Sequence, residues 1–214
     1  MIEVHDLQSL LRHPSLREAM HELRYRQFYE KQSWDVPAVK GVEIDQYDRL
    51  NADPVYLLAL NDLGRPIGTC RLLRTEGPYM VRDHFAHMMG GRTPPSSPEI
   101  WEANRIAVDV SSENGGIAGA LRITGLLLAA ICEYCLPKGV HHTIGAYEPQ
   151  MLRLLKSRGA TPDWVGETYD YPDSRFSVAM HPISWEIYDA GMALNGFTGP
   201  VIAKDFTQKD RVAA

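Results

Sequence analysis

The stretch Glu99-Ile-Trp-Glu-Ala-Asn-Arg-Ile-Ala-Val-Asp109 limits the folds open to this chain more than any other. It sets a carboxylate, Glu102, and a guanidinium, Arg105, in a segment whose other residues call for burial. Ile100, Ala103, Ile106, Ala107 and Val108 are apolar, and β-branched side chains suit a covered, pleated surface. An ionised group in such a strand costs several kcal/mol unless it is paired or employed. The segment therefore carries either a structural ion pair or part of a site, and taken alone it leaves both open.

The rest of the chain describes one domain around such a strand. A length of 214 residues fits one domain with a substantial core. A formal net charge of −5 lacks the basic footprint of a general nucleic-acid binder. The start, Met1-Ile-Glu-Val-His-Asp, has neither a basic region nor an apolar core of the signal-peptide kind. The clean apolar run at 126–132 is far short of the roughly 20 residues that span a bilayer. A cytoplasmic protein without membrane insertion is expected. Cys132-Glu-Tyr-Cys135 has redox or zinc spacing, but it lacks a second pair and falls late in an apolar helix. It reads as core packing, and His141-His142 as a strand-entry surface feature, so no metal site is expected.

Residues 15–31 read as an amphipathic helix, with Ser15 as N-cap and Glu18 as its capping-box partner. Residues 34–54, with Pro37, Gly41 and Pro54, read as an extended, mobile cap. Strands are predicted at 55–61 and 66–74, a loop with a short helix at 77–98, the opening strand at 99–109, and a glycine-containing loop at 111–116. A helix at 117–136 follows, apolar nearly all round and so buried between layers. Then come a strand at 140–146, a helix at 149–158 closed by Gly159, a strand at 175–181 and a helix at 184–194. This order gives a single-domain α/β three-layer sandwich with a mixed sheet, spanning residues 1–196, and a C-terminal tail at 197–214.

Several motifs then fall in order: Arg24-Tyr-Arg-Gln-Phe28, Trp34-Asp-Val, Glu43-Ile-Asp45-Gln-Tyr-Asp48, Gly68-Thr-Cys-Arg71 and the opening strand. Together they resemble the acyl-homoserine-lactone synthases, the autoinducer synthases of bacterial quorum sensing, over residues 24–159. The segment 132–159 looks most like the rhizobial long-chain members. The resemblance implies an acetyltransferase-like fold and two substrates. These are S-adenosylmethionine, with no tightly bound cofactor, and an acyl thioester on acyl carrier protein or coenzyme A.

On that resemblance Glu102 is the general base that frees the substrate amine, since burial raises a carboxyl toward the working range. Arg105 must then lie apart from it or bind substrate carboxylate. Asp45 and Asp48 have an electrostatic role, and Arg71 joins their network, with a purely structural pairing equally open. Arg24 pairs with Asp45 or Asp48 and ties the cap over the substrate, and Glu43 and Asn104 join the substrate-binding residues, with a solvated acidic loop equally open for Glu43, Asp45 and Asp48. Phe28 and Trp34 suit adenine or the sulfonium, where a cation–π contact is worth about 0.5–2 kcal/mol, although a core role for Phe28 is equally open.

Asn104 and Ile106 depart from the family pattern, which has Ser or Thr and an aromatic residue there. The strand that often carries acyl-pocket threonines reads Thr143-Ile-Gly-Ala-Tyr147, with Tyr147 against the substrate and with Gly145 and Ala146 small enough to leave room for a long chain. Lys138, Arg153, Lys156 and Arg158 form a basic group suited to an acidic acyl carrier protein, or an ordinary solvated face. Two other functions stay in play: another amine N-acyltransferase of the same fold, and a non-catalytic sensor of acyl carriers.

Overall fold

The computed structural model describes residues 1–172 and 174–207. The chain opens with strand β1 (Ile2–Asp6), short helix α1 (Leu7–Arg12) and helix α2 (Pro14–Tyr25). Hairpin strands β2 (Ala38–Val39) and β3 (Val42–Glu43) precede β4 (Val55–Leu60), β5 (Pro66–Arg74) and short helix α3 (Met80–His84). Next come β6 (Ile100–Val108), α4 (Gly116–Cys135), β7 (His142–Tyr147) and α5 (Pro149–Ser157). The described fold ends with β8 (Trp164–Tyr171), β9 (Ser174–Pro182), α6 (Trp185–Asn195) and β10 (Ile202–Asp205).

One eight-stranded sheet, in the order β10-β1-β4-β5-β6-β7-β9-β8, divides the molecule. The β1–β10 and β6–β7 pairs are parallel and the rest antiparallel, so the sheet is mixed. Strand β4 shows the layering through period-2 alternation. Tyr56 and Leu58 pack with Leu7, Leu10 and Met20 of α1 and α2 on one face. Val55, Leu57 and Ala59 pack with Ile123, Leu127 and Ala130 of α4 on the other. The α/β three-layer sandwich expected from the element order is the one observed.

Helix α4 is long and apolar enough by composition to cross a membrane, the one such helix among the described residues, yet it packs into this core. Cys132 and Cys135 are buried with it as free thiols.

Several local expectations need correction. The first long helix starts at Pro14, with His13 as N-cap and no side-chain cap bond, so Ser15 sits inside it. Proline at the first helical position is pre-set for that role. Past Tyr25 the helix widens into a π-helical stretch, Arg26–Lys31, which buries Phe28 and lets Trp34 N–H reach the Phe28 carbonyl at 2.9 Å. The region set apart as a tail contributes β10, which pairs with β1 and extends the sheet. Residues 208–214 of that tail lie outside the described residues. Strand β8, unassigned in the sequence, is a half-exposed edge.

Candidate active site

Strand β6 pairs with β7 only where Ile100–Glu102 meets His142–Ile144. Beyond Glu102 the two strands continue without pairing, β6 to Val108 and β7 to Tyr147. Against β5, Thr69 faces Ala107 while Arg71 faces Asn104, so β6 carries one extra residue and bulges. Arg105 takes up the bulge at φ 51°, a left-handed conformation that costs a non-glycine residue about 1–3 kcal/mol.

A cavity of about 1100 Å³ fills the gap. Glu102 and Asn104 line it on the side of α3, and Thr124 of α4 and Met151 of α5 line it on the opposite side. The opening thus passes through the sheet, so that two reactants can meet from opposite faces.

Glu102 is fully buried at the entrance to this gap. Its Oε1 accepts from Val81 N–H at 2.7 Å, and its Oε2 accepts from Met80 N–H at 2.9 Å and the Asn104 amide at 2.6 Å. Burial pushes the carboxyl up to about 7, against the pull of those donors and of Arg71. Arg105 turns instead to Glu43 and Asp45.

At the cavity wall three guanidinium groups meet three carboxylates. Arg24 pairs with Glu43 and forks onto Asp48 at 2.9 and 2.8 Å. Arg71 forks onto Asp45 at 2.6 and 2.8 Å, reaches Asp48 at 2.9 Å, and donates its Nε–H to Asn104 Oδ1 at 2.9 Å. Arg105 reaches Glu43 at 3.0 Å and Asp45 at 2.9 Å. Tyr56 donates to Asp48 at 2.8 Å. Burial alone would raise the aspartates, but Arg24 and Arg71 hold Asp48, and Arg71 and Arg105 hold Asp45, below the usual carboxylate range. The six formal charges cancel, which is the condition for keeping ionised groups inside a protein.

The structure divides the sequence-predicted residues. Asp45, Asp48, Glu102, Asn104 and Arg105 line the cavity, with Phe28, Trp34 and Tyr147. Arg24, Arg71 and Glu43 are fully buried behind it and hold the lining residues. Phe28 and Trp34 stack on each other, centroids 5.2 Å apart at 4°, and Phe176 meets the Trp34 ring edge-on at 5.2 Å. One Trp34 face is thus already covered by Phe28, while its buried Nε1–H has no hydrogen-bond partner among the described residues.

Tyr147 also corrects the reading of Gly145 as open space. A Cβ at Gly145 would lie 2.6 Å from both the Tyr147 hydroxyl and the Ala103 carbonyl, so the ring already fills that volume. The basic group is split. Arg153 and Lys156 lie exposed on α5, and Lys138 follows α4 and sits on the Tyr134 ring. Arg158 turns inward to Asn195 and lines a second, smaller cavity. Sequence reasoning missed Met80 and Val81, which act through backbone N–H and leave no side-chain signal. It also missed Tyr56, which donates to Asp48 from the next strand, and Phe176, whose partner Trp34 is distant in sequence.

Residues 7–187 match the family model described as autoinducer synthase. The chain is 38% identical over 114 residues to an acyl-homoserine-lactone synthase of Pseudomonas aeruginosa, a match spanning 52% of this chain and 53% of that relative. It is 34% identical over 157 residues to the corresponding synthase of Agrobacterium fabrum, covering 73% of this chain and 74% of that one. Among solved structures it resembles BjaI, a CoA-dependent acyl-homoserine lactone synthase determined with SAM and isopentyl-CoA. The TM-score is 0.82 and the identity 27%, over 96% of this chain and 93% of BjaI.

Proposed function

The chain belongs to the autoinducer synthase family of acyltransferases, and on that premise we propose that it makes an N-acyl-homoserine lactone, a quorum-sensing signal, from S-adenosylmethionine and an acyl thioester. The observation that carries this reading is Glu102: a buried carboxyl, raised to about 7, lining a cavity that runs through the sheet. A carboxyl near neutral pH suits a base that must take a proton from an α-ammonium group.

In the proposed reaction S-adenosylmethionine occupies the lobe walled by Trp34, Phe28 and Asp45. Glu102, directly or through one water, takes a proton from the ammonium group. The amine attacks the thioester carbonyl, a C–N bond forms, and the C–S bond breaks to release the carrier thiol with a proton. The substrate carboxylate then attacks the carbon next to the sulfonium, closing the lactone and expelling methylthioadenosine. That second step is intramolecular, and orientation alone can supply about 7–11 kcal/mol. Arg105, lining the cavity at the bulge, orients the carboxylate, and Asp45 beside it balances the sulfonium charge.

The thioester enters from the side of α4 and α5. Helix α5 turns Met151 and Leu154 to the cavity and carries Arg153 and Lys156 exposed, a face suited to an acidic acyl carrier protein. This assignment puts the reaction in the cytoplasm, where both substrates are made. The test is mass spectrometry of culture extracts from a neutral bacterial host expressing the chain. N-acyl-homoserine lactones absent from the empty host support it, and acylated amines without lactones overturn it.

A further inference from the structure

A second, apolar cavity of about 40 Å³ lies beneath α4, α5 and α6, with Leu128, Ala129, Leu155 and Ile187 in its lining. Thr143 and His181, cross-strand neighbours on β7 and β9, also line it, and burial pushes the imidazole down to about 4, so that the ring is neutral there. Ile106 and Tyr147 line both this cavity and the large one. These two side chains therefore stand between the two spaces.

Of the two, Tyr147 is the fixed one. Its hydroxyl donates to the Ala103 carbonyl at 3.3 Å, across the gap between β7 and β6. The ring lies over Gly145, where any side chain would collide with it, and meets His181 edge-on at 5.4 Å. Rotating it away would break the hydrogen bond and the edge-on contact with His181.

We propose that Tyr147 is the specificity-determining wall that ends the acyl pocket, so that the transferred chain stops at its ring and the inner cavity holds no methylenes in the natural reaction. This rests on the function proposed above. An apolar space on the far side of a fixed aromatic wall becomes available to the acyl chain only when the wall is shortened. Tyr147→Ala then joins the ring's own volume and the inner cavity to the pocket, and longer chains fit.

The experiment measures kcat/KM of the purified protein with S-adenosylmethionine and a series of straight-chain acyl thioesters, on coenzyme A and on acyl carrier protein. We expect Tyr147→Ala to raise donors about two to four carbons beyond the wild-type optimum by roughly 10-fold or more relative to that optimum, the scale on which apolar pockets discriminate methylenes. Tyr147→Phe, which keeps the ring, should keep the wild-type length profile, and Tyr147→Leu gives the same readout if the alanine variant does not fold. Because each profile is a ratio within one protein, loss of stability does not imitate the shift. An unchanged profile in a folded Ala or Leu variant, or a shift as large in Tyr147→Phe, overturns the proposal while leaving lactone synthesis intact. Absence of lactone with every donor in the wild type overturns the underlying function, and this assignment with it.

Discussion

Asn104 joins Glu102 to Arg71: its amide donates to Glu102 Oε2 at 2.6 Å while its oxygen accepts from Arg71 Nε–H at 2.9 Å. One side chain thus couples the buried carboxyl to the neutral charge network behind the cavity, in the place where the family commonly has a hydroxyl.

That bond favours the ionised form of Glu102. If ionised Glu102 is the base, kcat/KM rises with pH through its pKa and then levels. Asn104→Ala removes one donor, so we expect the midpoint to move upward and activity below it to fall. A pH–rate profile of the two proteins checks this, and a midpoint that is unmoved or lowered would exclude the coupling.

The same carboxyl has a stability signature. Its folded pKa is raised from 4.5 to about 7, so the folded state holds the proton more tightly than the unfolded chain. The resulting stabilisation is full below about 4.5 and is lost as pH rises through about 7, an amplitude of about 3 kcal/mol. Urea unfolding across this range should show that slope in the wild type and a flatter curve in Glu102→Gln. Parallel curves would contradict the raised pKa.

Arg24 and Arg105 belong to one network but should separate by assay. Arg24 is fully buried on Glu43 and Asp48, and removing one partner of a buried ion pair costs about 3–5 kcal/mol. Arg24→Ala should therefore lose stability first, seen as a lower denaturation midpoint. Arg105 lines the cavity, so Arg105→Ala should raise KM for S-adenosylmethionine at a smaller stability cost. Equal stability losses with unchanged KM would return Arg105 to a purely structural role.

Sequence pattern made part of this site legible and physics outside that pattern hid the rest. Glu102 and Arg105 stood out because a charged group in an apolar strand needs a reason. The turn of Arg105 away from Glu102 depends on a bulge and a positive φ that the sequence does not announce in a non-glycine residue. Gly145 read as spare volume, although Tyr147, two residues on and therefore on the same strand face, consumes it. Strands β1 and β10 are short, and each is marked by its pairing, β1 with β4 and β10 with β1. Strand β8 is mostly exposed at the sheet edge, where burial cannot mark it.

Trp34 should bind one substrate and spare the other. Trp34→Ala should weaken S-adenosylmethionine binding by about 0.5–2 kcal/mol if the ring faces the sulfonium, read by calorimetry on the purified protein. Unchanged affinity would confine Trp34 to packing with Phe28 and Phe176.

Arg153 and Lys156, exposed on α5, should act on the encounter with an acidic donor, an effect that fades with salt. Arg153→Glu with Lys156→Glu should raise KM for acyl carrier protein several-fold while sparing acyl-CoA. Equal effects on both donors, or no salt dependence, would favour a coenzyme A-using enzyme.

The most direct test is turnover of Glu102→Gln, measured beside S-adenosylmethionine binding and circular dichroism in the same preparation. We expect a folded variant that still binds the substrate and turns over about 100-fold more slowly or worse, the usual size of a general-base contribution. Near-wild-type turnover in a folded Glu102→Gln protein would contradict the account.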